Sequence, residues 1–303
     1  MRAIGAIPVP LAGIGCNNFG RRIDEARTRE VVAAALEVGA TLFDTADLYG
    51  DGRSEEFLGR ALGSRRDEVV IVSKFGMRTP PNGLTGGHPA WVPRACEASL
   101  RRLGTERIDL YLLHTPDEDT PIEDTLAAMS RLVDDGKVRE IGCSNFSGKQ
   151  LEEAAEAATE LGLRRFTAVQ NEYSLLHTEP RDEVLATCGR LGVGFMPYFP
   201  LASGLLSGKY RRGEPPPPGS RLAGSRERLT DDRLRHVERL AAFAESRRHT
   251  MLELALSWLA SQPEVATVIA GATSAEQVRA NTAAVEAWRL TDEELASVDE
   301  LLR

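Results

Sequence analysis

Short apolar runs alternate with longer stretches of helical spacing from one end of the chain to the other. That alternation predicts βαβ units around a parallel sheet. The runs LAGIG (11–15), TLFD (41–44), VVIVSK (69–74), IDLYLLH (108–114), VREIGCSN (138–145), TAVQNEY (167–173), VGFMPY (193–198) and VATVIAG (265–271) read as eight strands. IDLYLLH is almost wholly apolar, as a strand covered on both faces should be. Between the runs, helical spacing holds over Thr28 to Val38 and Pro93 to Leu103. A further helix, capped by Ser54, is expected to bury Phe57, Leu58, Ala61 and Leu62 before stopping at Gly63. Thr120, Pro121 and Glu123 predict a capping box that opens a helix ending at Gly136.

Eight such strands in 303 residues, with no second domain signature, point to a single-domain (β/α)8 TIM barrel spanning 1–303. The alternative, a doubly wound sheet, calls for a GxGxxG turn after the first strand, and LAGIGCNNFG does not provide one. The longest irregular segment, 209–229, contains EPPPPG, yet helical patterning and a last strand resume after it. It therefore reads as a functional loop at the barrel mouth rather than a domain boundary.

Charge and cysteine content narrow the function. A formal charge of -8 argues against nucleic acid as a partner, since a phosphate-backbone binder presents a basic face. Cys16, Cys96, Cys143 and Cys188 are scattered, with no CxxC pair and no histidine cluster at zinc spacing, which predicts reduced thiols and no metal. The N-terminal run MRAIGAIPVPLAGIGC is apolar, but two prolines interrupt it and no A-x-A site follows, unlike a secretory leader. No apolar run approaches the ~20 residues of a membrane span, so the expectation is a cytoplasmic protein without a membrane partner.

Active sites of such barrels lie at the C-terminal ends of the strands. Here six successive ends carry Asp44, Lys74, His114, Ser144 with Asn145, Gln170 and Tyr198. With Tyr49, three of these compose an acid system. A free tyrosine ionises near pH ~10 and donates protons poorly unless its anion is favoured. A lysine ~4 Å away supplies roughly 4 kcal/mol at an effective dielectric of 20, against about 1.4 kcal/mol for each tenfold change in ionisation. Lys74 can be that cation, Asp44 can keep it charged, and His114 can donate to the oxygen that becomes negative. This arrangement suits reduction of a carbonyl. No side chain delivers hydride, so a nicotinamide is implied. A metal-dependent hydrolase using Asp44, His114 and Asp117 would want a second histidine near a strand end, and there is none.

With these motifs in place, the chain resembles the aldo-keto reductases. LAGIGCNNFG, DTADLYGDGRSEEFLGRAL, SKFG, LLHTPD, GKVREIGCSNF, VQNEYSLL, PYFPLASGLLSGKY and VIAGATSAEQVRAN carry the likeness over nearly the whole sequence. The resemblance implies NADP(H) bound across the barrel mouth and hydride transfer to an aldehyde or ketone, with the tetrad Asp44, Tyr49, Lys74 and His114. It places Ser144, Asn145 and Gln170 on the carboxamide and Tyr198 against the nicotinamide ring. It makes the segment with Pro200, Leu201, Ser203 and Leu205 a pyrophosphate strap, with Lys209 and Arg221 toward the adenosine phosphate. It assigns Gly271, Thr273, Gln277 and Asn281 to the adenosine site. GATS (271–274) offers hydroxyls where many members carry Arg or Lys, so NAD(H) is possible beside NADP(H), and Lys209 and Arg221 would have to grip a 2′-phosphate.

The GxSE turn and long strap look like the microbial and potassium-channel β-subunit branch. The loop 77–91 is expected to wall the substrate pocket, with Trp91 as its aromatic contact. Two functions compete: an NAD(P)H-dependent carbonyl reductase with Tyr49 as proton donor, and a redox-sensing nicotinamide-binding regulatory subunit with little turnover. The partner is a small carbonyl compound in the first case, and oligomeric state stays open.

Overall fold

The computed structural model describes residues 2–77, 86–224 and 229–302. Part of the expected pocket wall (78–85) and part of the 209–229 loop (225–228) lie outside the described residues. Two short strands, β1 (Arg2–Ile4) and β2 (Ile7–Val9), form an antiparallel hairpin. Eight parallel strands follow in one sheet: β3 (Ala12–Gly15), β4 (Leu42–Asp44), β5 (Val70–Phe75), β6 (Ile108–Leu113), β7 (Val138–Ser144), β8 (Ala168–Glu172), β9 (Gly194–Tyr198) and β10 (Val268–Gly271). The sheet runs β10-β3-β4-β5-β6-β7-β8-β9. Its two ends meet where Phe195 N–H donates to Glu264 O at 2.8 Å and Ala266 N–H donates to Phe195 O at 2.8 Å. The result is a TIM barrel in a single domain, as the eight apolar runs predict.

The helices are α1 (Glu25–Glu37), α2 (Arg53–Leu62), α3 (Val92–Leu103), α4 (Ile122–Asp134), α5 (Gly148–Glu160), α6 (Val184–Leu191), α7 (Asp231–Ser246), α8 (Met251–Ala260), α9 (Ala275–Glu286) and α10 (Asp292–Leu302). Two helix starts differ from expectation. Ser54 does not cap α2, because Gly52, left-handed at φ 85°, opens the helix and the Ser54 hydroxyl turns inward to Cys16 O and Thr45 Oγ1. The capping box at Thr120–Glu123 does not form either. Pro121 holds ψ 138° at the cap position, with no side-chain bond to the first turn, and α4 ends at Asp134. Asp24, Ser147 and Thr250 cap α1, α5 and α8 with their side chains.

Side-chain alternation along the strands ties the core to the site. Leu42, Val72, Leu112, Ala168 and Met196 belong to one buried apolar cluster inside the barrel. Two residues further along each strand, on the same face, come Asp44, Lys74, His114, Gln170 and Tyr198. The apolar interior thus becomes polar at one end of the barrel. At the other end Ile4, Ile7 and Val9 join the same cluster, so the apolar N-terminal run is a hairpin plug.

Candidate active site

Asp44 enters the mouth at the end of β4, Thr45 and Tyr49 follow on the turn between β4 and α2, and Lys74 enters from β5. Lys74 is fully buried, its Nζ 2.7 Å from Asp44 Oδ1 and 2.8 Å from Thr45 O. Its third contact is the Tyr49 hydroxyl at 3.4 Å. Burial works against the ammonium, yet Asp44 and Tyr49 outweigh it and hold the lysine above its ordinary value.

The tyrosine does not behave as its lysine neighbour alone would dictate. Burial pushes the Tyr49 hydroxyl up, Lys74 opposes this, and the Asp44 carboxylate adds to the rise. Lys74 still acts to lower the phenol, but burial outweighs it and the net shift is upward; at 3.4 Å the contact with the hydroxyl is long.

His114 stands edge-on to Tyr49, with ring centroids 5.9 Å apart and planes at 79°. Burial and then the Lys74 charge lower its pKa to about 3, so it is a neutral imidazole with one N–H. Its Nδ1 is buried and has no hydrogen-bond partner among the described residues.

The neutral polar side chains form a linked chain of hydrogen bonds. Gln170 Nε2 donates to Asp44 Oδ1 at 3.0 Å across the barrel, and Ser144 Oγ donates to Gln170 O at 2.8 Å. Asn145 is left-handed at φ 63°, a conformation asparagine tolerates, and its Nδ2 donates to His114 O at 2.9 Å. Its Oδ1 accepts from the Tyr198 hydroxyl at 2.8 Å, which fixes that ring at the mouth.

The remaining expected residues fall at varied distances from this centre. Pro200 is buried beyond β9, and Leu201 begins a turn in which Ala202, Ser203 and Gly204 are all left-handed. Leu205 is buried in the core cluster, so it can present only backbone to a ligand. Lys209 Nζ lies 5.3 Å over the Tyr210 ring, and the Arg221 guanidinium 5.2 Å over Phe199, next to Tyr198. Gln277 Oε1 accepts from Thr273 N–H at 2.8 Å and from its hydroxyl at 3.1 Å, one turn before buried Asn281 and close to the exposed backbone of Gly271. Trp91 is half-buried and packs on the core at the start of α3. Among the described residues no three His, Cys, Asp or Glu gather as metal ligands, and Asp117 accepts from Gly87 N–H. The four cysteines are free and buried.

Sequence reasoning missed two acids. Asp47 reads as a residue of loop solvation or packing, yet burial and then the charge of Glu55 raise its pKa to about 7. Glu55 itself is fully buried, bonded to Ser73 Oγ and Arg102 Nε at 2.6 Å each. Helical spacing carries a signal for Glu55, since it lies three residues before Leu58 on a face that turns inward.

A family model described as the aldo/keto reductase family matches residues 12–303. The chain belongs to that family. A probable voltage-gated potassium channel subunit beta of Arabidopsis thaliana is 36% identical over 281 residues, covering 88% of this chain and 84% of its own length. An L-glyceraldehyde 3-phosphate reductase of Escherichia coli O157:H7 is 33% identical over 308 aligned residues, covering 96% and 88%. Among solved structures, a glycerol dehydrogenase of Gluconobacter oxydans superposes with a TM-score of 0.85 at 28% identity, over 99% of this chain and 94% of that one. As an aldo-keto reductase the protein is an oxidoreductase, and its family generally uses nicotinamide cofactors. No helix among the described residues is long and apolar enough to cross a membrane.

Proposed function

We propose that this aldo-keto reductase is an NADP(H)-dependent carbonyl reductase in which Tyr49 donates the proton that completes alcohol formation. The observation that carries the reading is the chain Asp44–Lys74–Tyr49 at the barrel mouth, with a neutral His114 beside the phenol. A raised phenol stays protonated at neutral pH, as a donor must. The Lys74 ammonium, kept charged by Asp44, stabilises the phenolate left after the proton departs. A neutral imidazole can hydrogen-bond the substrate oxygen without competing for its proton.

The polar groups at the mouth fit a nicotinamide dinucleotide. The Ser144, Asn145 and Gln170 side chains are neutral, suited to a carboxamide, and the Tyr198 ring is fixed by its bond to Asn145. Pro200, Leu201, Ser203 and Leu205 would follow the pyrophosphate, Gly271, Thr273, Gln277 and Asn281 would hold the adenosine, and Lys209 with Arg221 would favour a 2′-phosphate. When bound, the cofactor supplies the hydride. Trp91 would line the substrate side.

The test measures turnover of a panel of aldehydes and ketones with NADPH and NADH, beside the Tyr49→Phe variant. Wild-type turnover is expected with NADPH, and Tyr49→Phe should lose at least about 1,000-fold in kcat while still binding cofactor. Undiminished kcat in the variant would refute the proton-donor role. The similarity to the plant channel subunit favours a second reading, a nicotinamide-sensing regulatory subunit. Tightly copurifying cofactor with negligible turnover across the panel would select it.

A further inference from the structure

We propose that Glu55 is a positioning residue for the Tyr49–Lys74 pair, setting the separation at which the tyrosine hydroxyl meets the lysine ammonium. The inference rests on the reading of Tyr49 as proton donor. Tyr49 sits between β4 and α2, and the first turn of α2 holds it directly, because Ser54 N–H donates to Tyr49 O at 3.1 Å. Whatever fixes that turn fixes the tyrosine backbone. On one side Ser54 Oγ reaches Cys16 O at 2.9 Å and Thr45 Oγ1 at 2.8 Å. On the other, Glu55 accepts from Ser73 Oγ at 2.6 Å, and Ser73 directly precedes Lys74 on β5.

Alternation sends Lys74 into the barrel and Ser73 outward toward α2. One carboxylate on the outside therefore fixes the β5 segment that presents the lysine and the helical turn that holds the tyrosine. The second oxygen of Glu55 meets Arg102 Nε of α3 at 2.6 Å, which anchors the pair to a third element. Arg102 also covers Gly52, where an added Cβ would stand 2.7 Å from Arg102 Cδ. A charge this deeply buried is held only by good hydrogen-bond geometry, and both of its bonds are short. Neither Glu55 nor Arg102 belongs to the reacting set. Their effect on the reaction passes through Tyr49 and Lys74.

Two variants test the clamp. Glu55→Gln keeps the shape and loses the charge, while Ser73→Ala removes one hydroxyl and leaves the ion pair with Arg102 intact. In folded Glu55→Gln, kcat should fall roughly tenfold to hundredfold, with KM and cofactor Kd within about twofold of wild type. Ser73→Ala should lose about threefold to tenfold in kcat with the same split. Amide hydrogen exchange supplies a readout apart from activity. The Ser54 amide should exchange at least about tenfold faster in both variants while α5 is unchanged, whereas global destabilisation would accelerate both.

A kcat within about twofold of wild type in both variants, or unaltered exchange at Ser54, overturns the proposal. If Glu55→Gln does not fold, Ser73→Ala decides alone. If the wild-type protein turns over no carbonyl with either cofactor, the reading of function falls, and hydrogen exchange at Ser54 still decides whether the clamp exists.

Discussion

Burial acts on two single side chains near the Tyr49 turn with opposite thermodynamic consequences. His114 has a pKa of about 3 against an ordinary 6.5, so between these values the unfolded chain binds the extra proton and acidification favours unfolding. Asp47 has a pKa of about 7 against 3.8, so there the folded chain holds the extra proton and rising pH favours unfolding. Each contributes a slope of up to about 1.4 kcal/mol per pH unit, and the slopes oppose between pH 3.8 and 6.5. The groups acting on Asp47 are Glu55, Arg102 and Lys74, with Tyr111 coupled to it from β6. Asp47→Asn should make stability rise more steeply with pH than in wild type, and His114→Gln should make it fall. Urea unfolding from pH 4.5 to 6.5 (a span of about two units) reads the differences, and parallel curves for Asp47→Asn and wild type would contradict the assignment. The gathering of Asp44, Lys74 and His114 at one end of the barrel was legible in the sequence because each ends an apolar run. Asp47 was not, because the burial and the Glu55 charge that raise its pKa arise only once α2 has packed.

Elements show the same division. Apolar runs located all eight barrel strands, since a strand covered on both faces has few ways to look otherwise. Helix starts were less readable, because a hydroxyl can cap a helix or bond elsewhere, and Ser54 found partners just past the ends of β3 and β4. Close approach between helices is also invisible locally. At Gly59 of α2 an added Cβ would stand 2.2 Å from Leu103 O at the end of α3. Gly59→Ala should push the helices apart and cost about 1–3 kcal/mol, which a thermal melt would record as a drop of several degrees. An unchanged melting temperature would mean that α2 shifts freely. The Glu55 clamp, which joins these same two helices to β5, makes such a shift costly to activity as well.

Across the whole molecule the two ends of the barrel have different duties. The mouth carries the titratable groups, and the opposite end is closed by Ile4, Ile7 and Val9 against the interior cluster. Ile7→Ala should destabilise by about 2–5 kcal/mol while leaving kcat within about twofold, as measured by urea unfolding beside steady-state kinetics. A loss of kcat without loss of stability would show that the ends are coupled. The sequence reading assigned no element to this plug, because its strands are only three residues each, too short for alternation to declare itself. Closure of the barrel depends on residues from both chain ends. Val268 N–H donates to Leu11 O at 2.8 Å, and Phe195 and Ala266 bridge the other seam. Translation runs in one direction, so a ribosome-bound chain carries β3 and β9 as open sheet edges until Val268–Gly271 has emerged. During that interval the nascent barrel can pair with any extended peptide that reaches it, and the pace of synthesis of the last strand sets how long it stays sticky.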